Sequence, residues 1–320
     1  MPTRLDVMRL NCRLVTRVVG EEIFAATLDL GSRLPPELSR ARMVCVPVLI
    51  SVTRDLIDRE MRGLPVTRGP SINAIAASLD LPFETVRRNV QKMAELGWIE
   101  LGATGGVSLP APMQADLAIW CVELGRRLRR AAATMEALGA TDPGSLGAGT
   151  CDNSCILAAL DLFLIMAGTS KHFELRFTDL LLIHFVCTTS VAHLNSSPAG
   201  TAPFARADTA PAEDERAFIP LPDLARMLGV SRSTVYRIVS DPMHANVFER
   251  RGTGVRGSGT FLTSPSYIEA LELVAGRTAT LFSRVERHRC GLGCTALDHV
   301  LGRPRPWRQI STLSDRAPIG

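Results

Sequence analysis

The sequence predicts a mainly α-helical protein with two small β-hairpins, in which one order of elements occurs twice. Three observations carry this prediction. Apolar residues recur at helical spacing along most of the chain. Two segments, 75–100 and 224–249, share one pattern without a gap. Glycine-bearing stretches typical of hairpins lie at 102–106 and 252–259.

Composition limits the class of protein. The chain has 320 residues, which is too long for one small domain. Its 46% hydrophobic and 21% charged residues exclude a wholly disordered chain. The net charge of +4 does not by itself indicate nucleic acid. All cations except Lys92 and Lys171 are arginines, which suits guanidinium contacts to phosphate or bases. The coding bias of a GC-rich genome is the simpler explanation.

The repeat is the strongest organisational signal. At an offset of 149, seven of 26 aligned positions are identical, where chance gives about one or two. The pairs are Ala76/Ala225, Leu79/Leu228, Thr85/Thr234, Val86/Val235, Arg88/Arg237, Val90/Val239 and Glu100/Glu249. The alternative is that two helical segments align by accident. The same element order over both halves favours duplication, with halves at 1–141 and 142–289 and a C-terminal tail at 290–320.

Local signals define each half as helix, helix, short helix, turn, helix, hairpin and long helix. Ser71 is placed to cap the short helix. Residues 80–82 form the turn, and Pro82 suits the first position of the next helix. Gly97 is predicted to end the helix that follows this turn in a left-handed conformation, and Asn246 stands at the matching place in the second half.

A short helix, a turn, a second helix and a hairpin are typical of a winged helix-turn-helix. In that arrangement the outer face of the second helix is free to enter a major groove. The predicted fold class is therefore mainly α with small β-wings, built as tandem duplicated winged helix-turn-helix halves packed through long apolar helices.

The second half resembles the GntR type of bacterial winged-helix transcription regulators. The likeness rests on LPDLARMLGVSRSTVYR at 221–237 and RGTGVRGSGTFL at 251–262. It covers roughly 217–263, and more loosely 68–110. The resemblance implies that Ser231 caps the recognition helix and meets a phosphate. It also implies two further sets of DNA contacts: Arg232, Ser233, Tyr236 and Arg237 on the outer helix face, and Arg250, Arg251 and Arg256 in the wing. The first-half equivalents are Phe83, Glu84, Arg87, Arg88 and Lys92.

These residues predict a sequence-specific regulator that binds double-stranded DNA as a single-chain pseudo-dimer. The second half should dominate, because Glu84 repels phosphate and the first wing carries no charge. The alternative is a non-catalytic protein-interaction scaffold. No cofactor is implied, while an unidentified small-molecule effector and a homodimer remain open. Catalytic motifs are missing from the sequence, so an enzyme is not expected.

The eight cysteines allow a zinc hypothesis that we do not favour. Cys151/Cys155 and Cys290/Cys294 have a spacing that zinc tolerates, but they lack the usual C-x-x-C knuckle. We therefore predict no metal, with Cys45, Cys121 and Cys187 buried in helices and the loop cysteines as free thiols.

The remaining expectations concern packing and location. The most apolar run, 155–168, is shorter than the ~20 residues of a membrane span and carries Asp161, so a cytoplasmic protein without a membrane partner is expected. Apolar helices at 40–59 and 177–194 should pack near the centre, against each other across a pseudo-two-fold axis, with Leu181 and Ile183 buried. His184 should be a hydrogen-bonded core residue, and residues 126–130 a solvated basic face. Residues 303–308 should be a flexible or loosely docked end, the alternative being a basic arm for DNA.

Overall fold

The computed structural model describes residues 3–65, 69–103, 105–141, 153–173, 175–196 and 198–287. Within these ranges the protein is mainly helical. The helices of the first half are α1 (Arg4–Leu10), α2 (Cys12–Arg33), α3 (Arg42–Met61), α4 (Ile72–Leu79), α5 (Phe83–Glu95) and α6 (Ala111–Ala137). Those of the second half are α7 (Asn153–Gly168), α8 (Ser170–Phe173), α9 (Phe177–Ser190), α10 (Pro198–Thr201), α11 (Leu221–Leu228), α12 (Arg232–Val239), α13 (Gly259–Leu262) and α14 (Pro265–Arg287). Short 3-10 helices lie at Pro36–Ala41, Ala192–Ser196, Ala202–Phe204 and Pro242–His244.

The strands of the described chain form two small antiparallel sheets. β1 (Glu100–Leu101) pairs with β2 (Val107–Ser108). β3 (Ile219–Pro220), β4 (Phe248–Arg251) and β5 (Gly254–Gly257) form a second sheet in the order β3-β5-β4. We call residues 71–108 the first helix–hairpin unit and residues 219–257 the second helix–hairpin unit. Because β5 is the middle strand of its sheet, both of its edges are covered.

Serine side chains begin the helices where the sequence predicts them. The hydroxyl of Ser71 accepts a hydrogen bond from the amide of Ala74 at 3.1 Å and caps α4. The hydroxyl of Ser231 accepts one from Thr234 at 3.1 Å and caps α12. Each bond satisfies an amide that the first turn of a helix otherwise leaves without a partner.

The turns that end these helices depart from expectation at two residues. Pro82 lies just before α5, which begins at Phe83, so Pro82 is not its first residue. Gly97 has the predicted left-handed conformation, with a φ of 72°. The prediction for Asn246 is wrong, because Asp80 is the only non-glycine residue with positive φ among the described residues. In the second half, α12 is shorter than α5, and a short 3-10 helix at Pro242–His244 follows it. Asn246 comes after this 3-10 helix and does not end α12.

The core joins the two halves. α2 packs against α6 of its own half and against α14 of the other half. α7 reciprocally packs against α14 and α6. The buried apolar side chains of both halves consequently form one continuous cluster, which includes Trp120 and Phe282. The elements of each half are thus held in place by the other half.

The two helices expected at the centre are buried but meet only briefly. Ile183 in α9 is 1% exposed, whereas Leu181 is half-buried. α3, with Pro47 inside it, packs mainly on α7 and touches α9 over a short stretch. The predicted burial of Ile183 is confirmed, and the main partner of α3 is α7 rather than α9.

The basic run on α6 is not a solvated face. Arg127 is buried, and its guanidinium lies 3.2 Å from the carboxylate of Glu22 and 3.3 Å from that of Glu123. Arg130 also pairs with Glu22 at 3.2 Å. The expectation is wrong because α6 packs along α2, which carries Glu22.

The predicted buried thiols are confirmed for Cys45, Cys121 and Cys187, which are free. Burial raises the pKa of each to about 12, so these thiols are protonated at neutral pH. Cys151, Cys290 and Cys294 lie outside the described residues, as does the basic end at 303–308.

The apolar run at 155–168 forms most of α7 and is buried in the core, as predicted. Across the described ranges, no helix combines the length and the apolar character that crossing a bilayer requires.

Candidate functional site

The outer face of α12 is an exposed polar surface of the second helix–hairpin unit. Val235, Ile238 and Val239 point inward and are buried. Thr234 is half-buried, and the four remaining side chains are exposed: Arg232, Ser233, Tyr236 and Arg237. Their spacing of one, four and five residues places them on one side of the helix. The structure therefore brings together the four helix residues that the sequence singles out.

The arginines on this face carry uncompensated charge. Within the described chain, neither Arg232 nor Arg237 forms a salt bridge or a side-chain hydrogen bond. Arg226, on the preceding helix, differs because it lies 2.7 Å from Asp223. Guanidinium groups without a partner on an exposed helix face are suited to bind a negatively charged partner.

Ser231 has a more local role than the resemblance implies. Its hydroxyl lies 2.8 Å from the hydroxyls of both Ser233 and Thr234 and also caps α12. The hydroxyl is therefore engaged within the first turn of α12. The other backbone amides at the start of the helix are the groups available to donate to a partner.

The hairpin is fixed beside the helix by Arg250. Its Nη1 donates to the hydroxyl of Ser240 at 3.0 Å, just after α12. Its guanidinium also lies over the ring of Tyr236, 5.7 Å from the centroid. Tyr236, which is 37% exposed, therefore packs against the hairpin while keeping part of its ring accessible. Arg251, the next residue on β4, is exposed.

Arg256 is not part of the exposed surface, contrary to the sequence prediction. It is only 7% exposed. Its guanidinium pairs with Glu249 at 2.6 Å, donates to the carbonyls of Glu213 and Arg216, and lies 4.3 Å from the centroid of the Phe218 ring. The reason is that Arg256 lies on the middle strand β5, where neighbouring segments cover its side chain. Arg256 therefore holds the hairpin together and is unavailable to a partner.

Glu249 is the residue of this site that sequence reasoning missed. Its carboxylate also pairs with the buried Arg216 at 3.4 Å and accepts from the amide of Gly259 at 3.1 Å. Partial burial raises the pKa of Glu249, but these hydrogen bonds and the two guanidinium groups lower it below its ordinary value overall. The available signal was the identity with Glu100 in the repeat.

The first helix–hairpin unit presents a different surface. Arg87 pairs with Glu84 at 2.8 Å, and Lys92 pairs with Glu95 at 3.2 Å. The hydrogen bond from Arg87 lowers the pKa of Glu84, which keeps the carboxylate charged. Arg88 is exposed. Two of the three predicted cations are thus neutralised by their own helix.

One group of side chains has the geometry of a metal site. The ligand atoms of Asp179, Asp241 and His244 lie within 4.8 Å of one another. However, the guanidinium of Arg176 lies 2.5 Å from Asp179 and 3.1 Å from Asp241. This guanidinium already supplies the positive charge that a cation would bring. The cluster instead ties the segment after α12 to α9.

No protein-family model, no curated protein and no solved structure matches this chain.

Proposed function

We propose that the protein is a sequence-specific DNA-binding transcription regulator, in which two winged-helix halves act as a single-chain pseudo-dimer. The observation that carries the proposal is the pair of exposed, uncompensated guanidinium groups of Arg232 and Arg237 on α12. In this arrangement α12 enters the major groove. Arg232 or Arg237 donates two hydrogen bonds to guanine O6 and N7.

The hairpin adds contacts to the DNA backbone. Arg251 is exposed on β4, and Arg250 lies between the hairpin and the helix. Side chains at such positions reach phosphates or the minor groove beside the helix. Phosphate contacts position the protein, whereas the helix reads the sequence.

Equivalent backbone hydrogen bonds support the duplication. The amide of Leu81 donates to Ala76 at 3.0 Å, and that of Val230 donates to Ala225 at 3.0 Å. Both pairs are related by the offset of 149. The left-handed residues Asp80 and Gly229 are related by the same offset and end α4 and α11. Sequence identity is low at these turns, so the agreement in backbone geometry is an independent argument.

The pairing of the hairpins supports it further. Ser71 forms a bridge with Gly106, and Pro220 pairs with Gly254. The reciprocal packing of α2 and α7 on both α6 and α14 is what a pseudo-two-fold arrangement requires.

The decisive experiment is the selection of bound sequences from random double-stranded DNA, followed by a salt titration on the selected site. Arg232→Ala and Arg237→Ala are each measured beside Arg277→Ala, which removes an exposed arginine from α14. Loss of a base-reading arginine should cost ~1–3 kcal/mol of binding free energy on the preferred site and relax specificity at one position. Arg277→Ala should bind like the wild type.

The rival function is a non-catalytic docking scaffold. The surface of the first helix–hairpin unit favours this scaffold function. Phe83 on α5 is 43% exposed there, and the charges around it largely cancel. If Arg232→Ala and Arg237→Ala both leave DNA affinity and sequence preference unchanged, the scaffold becomes the better account of the second unit as well.

A further inference from the structure

A small cavity lies between α2, α9 and α14. The side chains that matter for its chemistry are Arg13, Thr16, Arg17, His184, Thr188 and Tyr267. The cavity offers about 30 Å³, which is room for roughly two or three water-sized groups. No residue of α12 lines it.

Arg17 is the unusual residue of this cavity. Its side chain is 8% exposed. Its Nε, Nη1 and Nη2 atoms are all buried, and none has a hydrogen-bond partner among the described residues. The hydroxyl of Thr16, which lines the same cavity, is buried and also without a partner there.

Arg13, one turn away on α2, shows the ordinary arrangement. Arg13 is also buried, but its Nε donates to the carbonyl of Ala207 at 2.8 Å and its Nη2 to that of Leu262 at 2.6 Å. The contrast is informative, because buried guanidinium groups are normally hydrogen-bonded. Arg17 therefore has donors that the protein itself does not use.

The surroundings keep this site positively charged. Desolvation lowers the pKa of Arg17 to about 10, so the guanidinium is protonated at neutral pH. Burial raises the pKa of Tyr267 and that of Cys187, so both side chains are neutral. Glu21 attracts Arg17, but its carboxylate accepts a hydrogen bond from Asn195 at 2.8 Å. A buried cation without a bound counter-ion is strongly unfavourable.

We propose that this cavity binds the carboxylate of a small organic acid, held by the guanidinium of Arg17 and the hydroxyl of Thr16. The planar guanidinium matches the two oxygens of a carboxylate and can donate to both. Leu262 and Leu271 line the cavity as well, so they offer an apolar wall to a short carbon chain. The size of the cavity suits a group no larger than acetate or a near relative.

The probe is sodium acetate, and the readout is the thermal unfolding of the full chain at neutral pH. Sodium chloride of equal ionic strength and inorganic phosphate are the comparison salts. We compare the wild type with Arg17→Met, which keeps the shape of the stem, and with the control Arg277→Met. Acetate should raise Tm in a saturable manner in the wild type and in Arg277→Met. Arg17→Met should bind acetate about 10- to 100-fold more weakly, as expected for losing a charged hydrogen-bonding partner.

Two further observations make the outcome unambiguous. In chloride, Arg17→Met should be at least as stable as the wild type, because it removes a buried charge that has no partner. If it fails to fold, Thr16→Val serves in its place and should weaken acetate binding several-fold with Arg17 intact. The proposal would be overturned if acetate did not raise the Tm of the wild type, or if it raised the Tm of all variants equally. It would also be overturned if phosphate, and not acetate, raised the Tm. None of these measurements involves DNA, so they do not bear on the proposed regulator.

Discussion

At the scale of single residues, burial decides the charge of His184. Its Nε2 lies 3.0 Å from the hydroxyl of Thr169, which itself donates to the carbonyl of Met166. His184 therefore donates from Nε2, as a neutral core histidine does. Burial lowers its pKa to about 4. The expectation of a hydrogen-bonded core histidine is confirmed.

This shift predicts a loss of stability in acid. Below pH 6.5 the unfolded chain protonates this histidine, while the folded protein does so only near pH 4. The contribution of neutral His184 to the free energy of unfolding is fully present above pH 6.5. It is lost as the pH falls from 6.5 to 4, by up to about 3 kcal/mol. Urea unfolding of the wild type and His184→Gln across this range checks it, because other titrating groups cancel in the difference. Parallel curves would contradict the prediction.

Gly229 is constrained by both backbone and space. Its φ is 64°, and an added Cβ would lie 2.4 Å from Cδ of Arg42 in α3. Gly229→Ala should therefore lower the free energy of unfolding by about 1–2 kcal/mol from backbone strain, with more from the displacement of Arg42. Chemical denaturation measures this.

Asp80 is the matched control for Gly229, because it has the same conformation without glycine, with a φ of 53°. Asp80→Gly should stabilise the protein by about 1 kcal/mol. If Gly229→Ala left the free energy of unfolding unchanged, the turn would accommodate a Cβ without strain and the prediction would be wrong.

At the scale of elements, the same pattern builds two units with different surfaces. α5 runs for 13 residues and cancels most of its charge internally, while α12 runs for eight and leaves two guanidinium groups free. The second hairpin is also longer and gains a third strand. The same element order thus supports one surface suited to an anionic partner and one that is nearly neutral.

Within the second hairpin, neighbouring arginines should behave differently. Arg256→Ala should lower stability by about 1–3 kcal/mol, because it leaves Glu249 without its main partner, and should leave the salt dependence of DNA binding unchanged. Arg251→Ala should change stability by no more than about 0.5 kcal/mol and reduce the salt slope by ~1. Unfolding curves and DNA titrations on the same preparations separate the two effects. A reduced slope for Arg256→Ala would mean that it reaches phosphate.

At the scale of the whole molecule, the halves depend on each other. Each long C-terminal helix, α6 and α14, packs on the first long helix of both halves. Separating the halves would expose a large part of the shared core, which favours unfolding or aggregation.

We therefore expect residues 1–141 and 142–289, expressed separately, to lack cooperative unfolding, and their mixture to recover it. Circular dichroism during urea titration of each fragment and of the mixture tests this. A sharp transition in an isolated fragment would show that the half is an independent domain.

Much of the local structure followed from the sequence. Helix starts at Ser71 and Ser231, the left-handed Gly97 and the outward face of α12 depend on residues close in the chain, so spacing and residue type predicted them. The boundary at Pro82 and the conformation of Asn246 were missed, because small shifts in neighbouring helices decide them.

Tertiary packing decided which arginines face solvent. The sequence placed Arg232 and Arg256 at a DNA surface and Arg127 on a solvated face, because residue type and spacing alone do not show what packs against an arginine. Arg256 is covered by Phe218 and the segment before β3, Arg127 meets Glu22 of α2, and Arg17 faces a cavity. Charge and residue type were therefore set by the sequence alone. The access of water and the identity of each partner were set by the helices and strands, distant in the chain, that pack against each arginine.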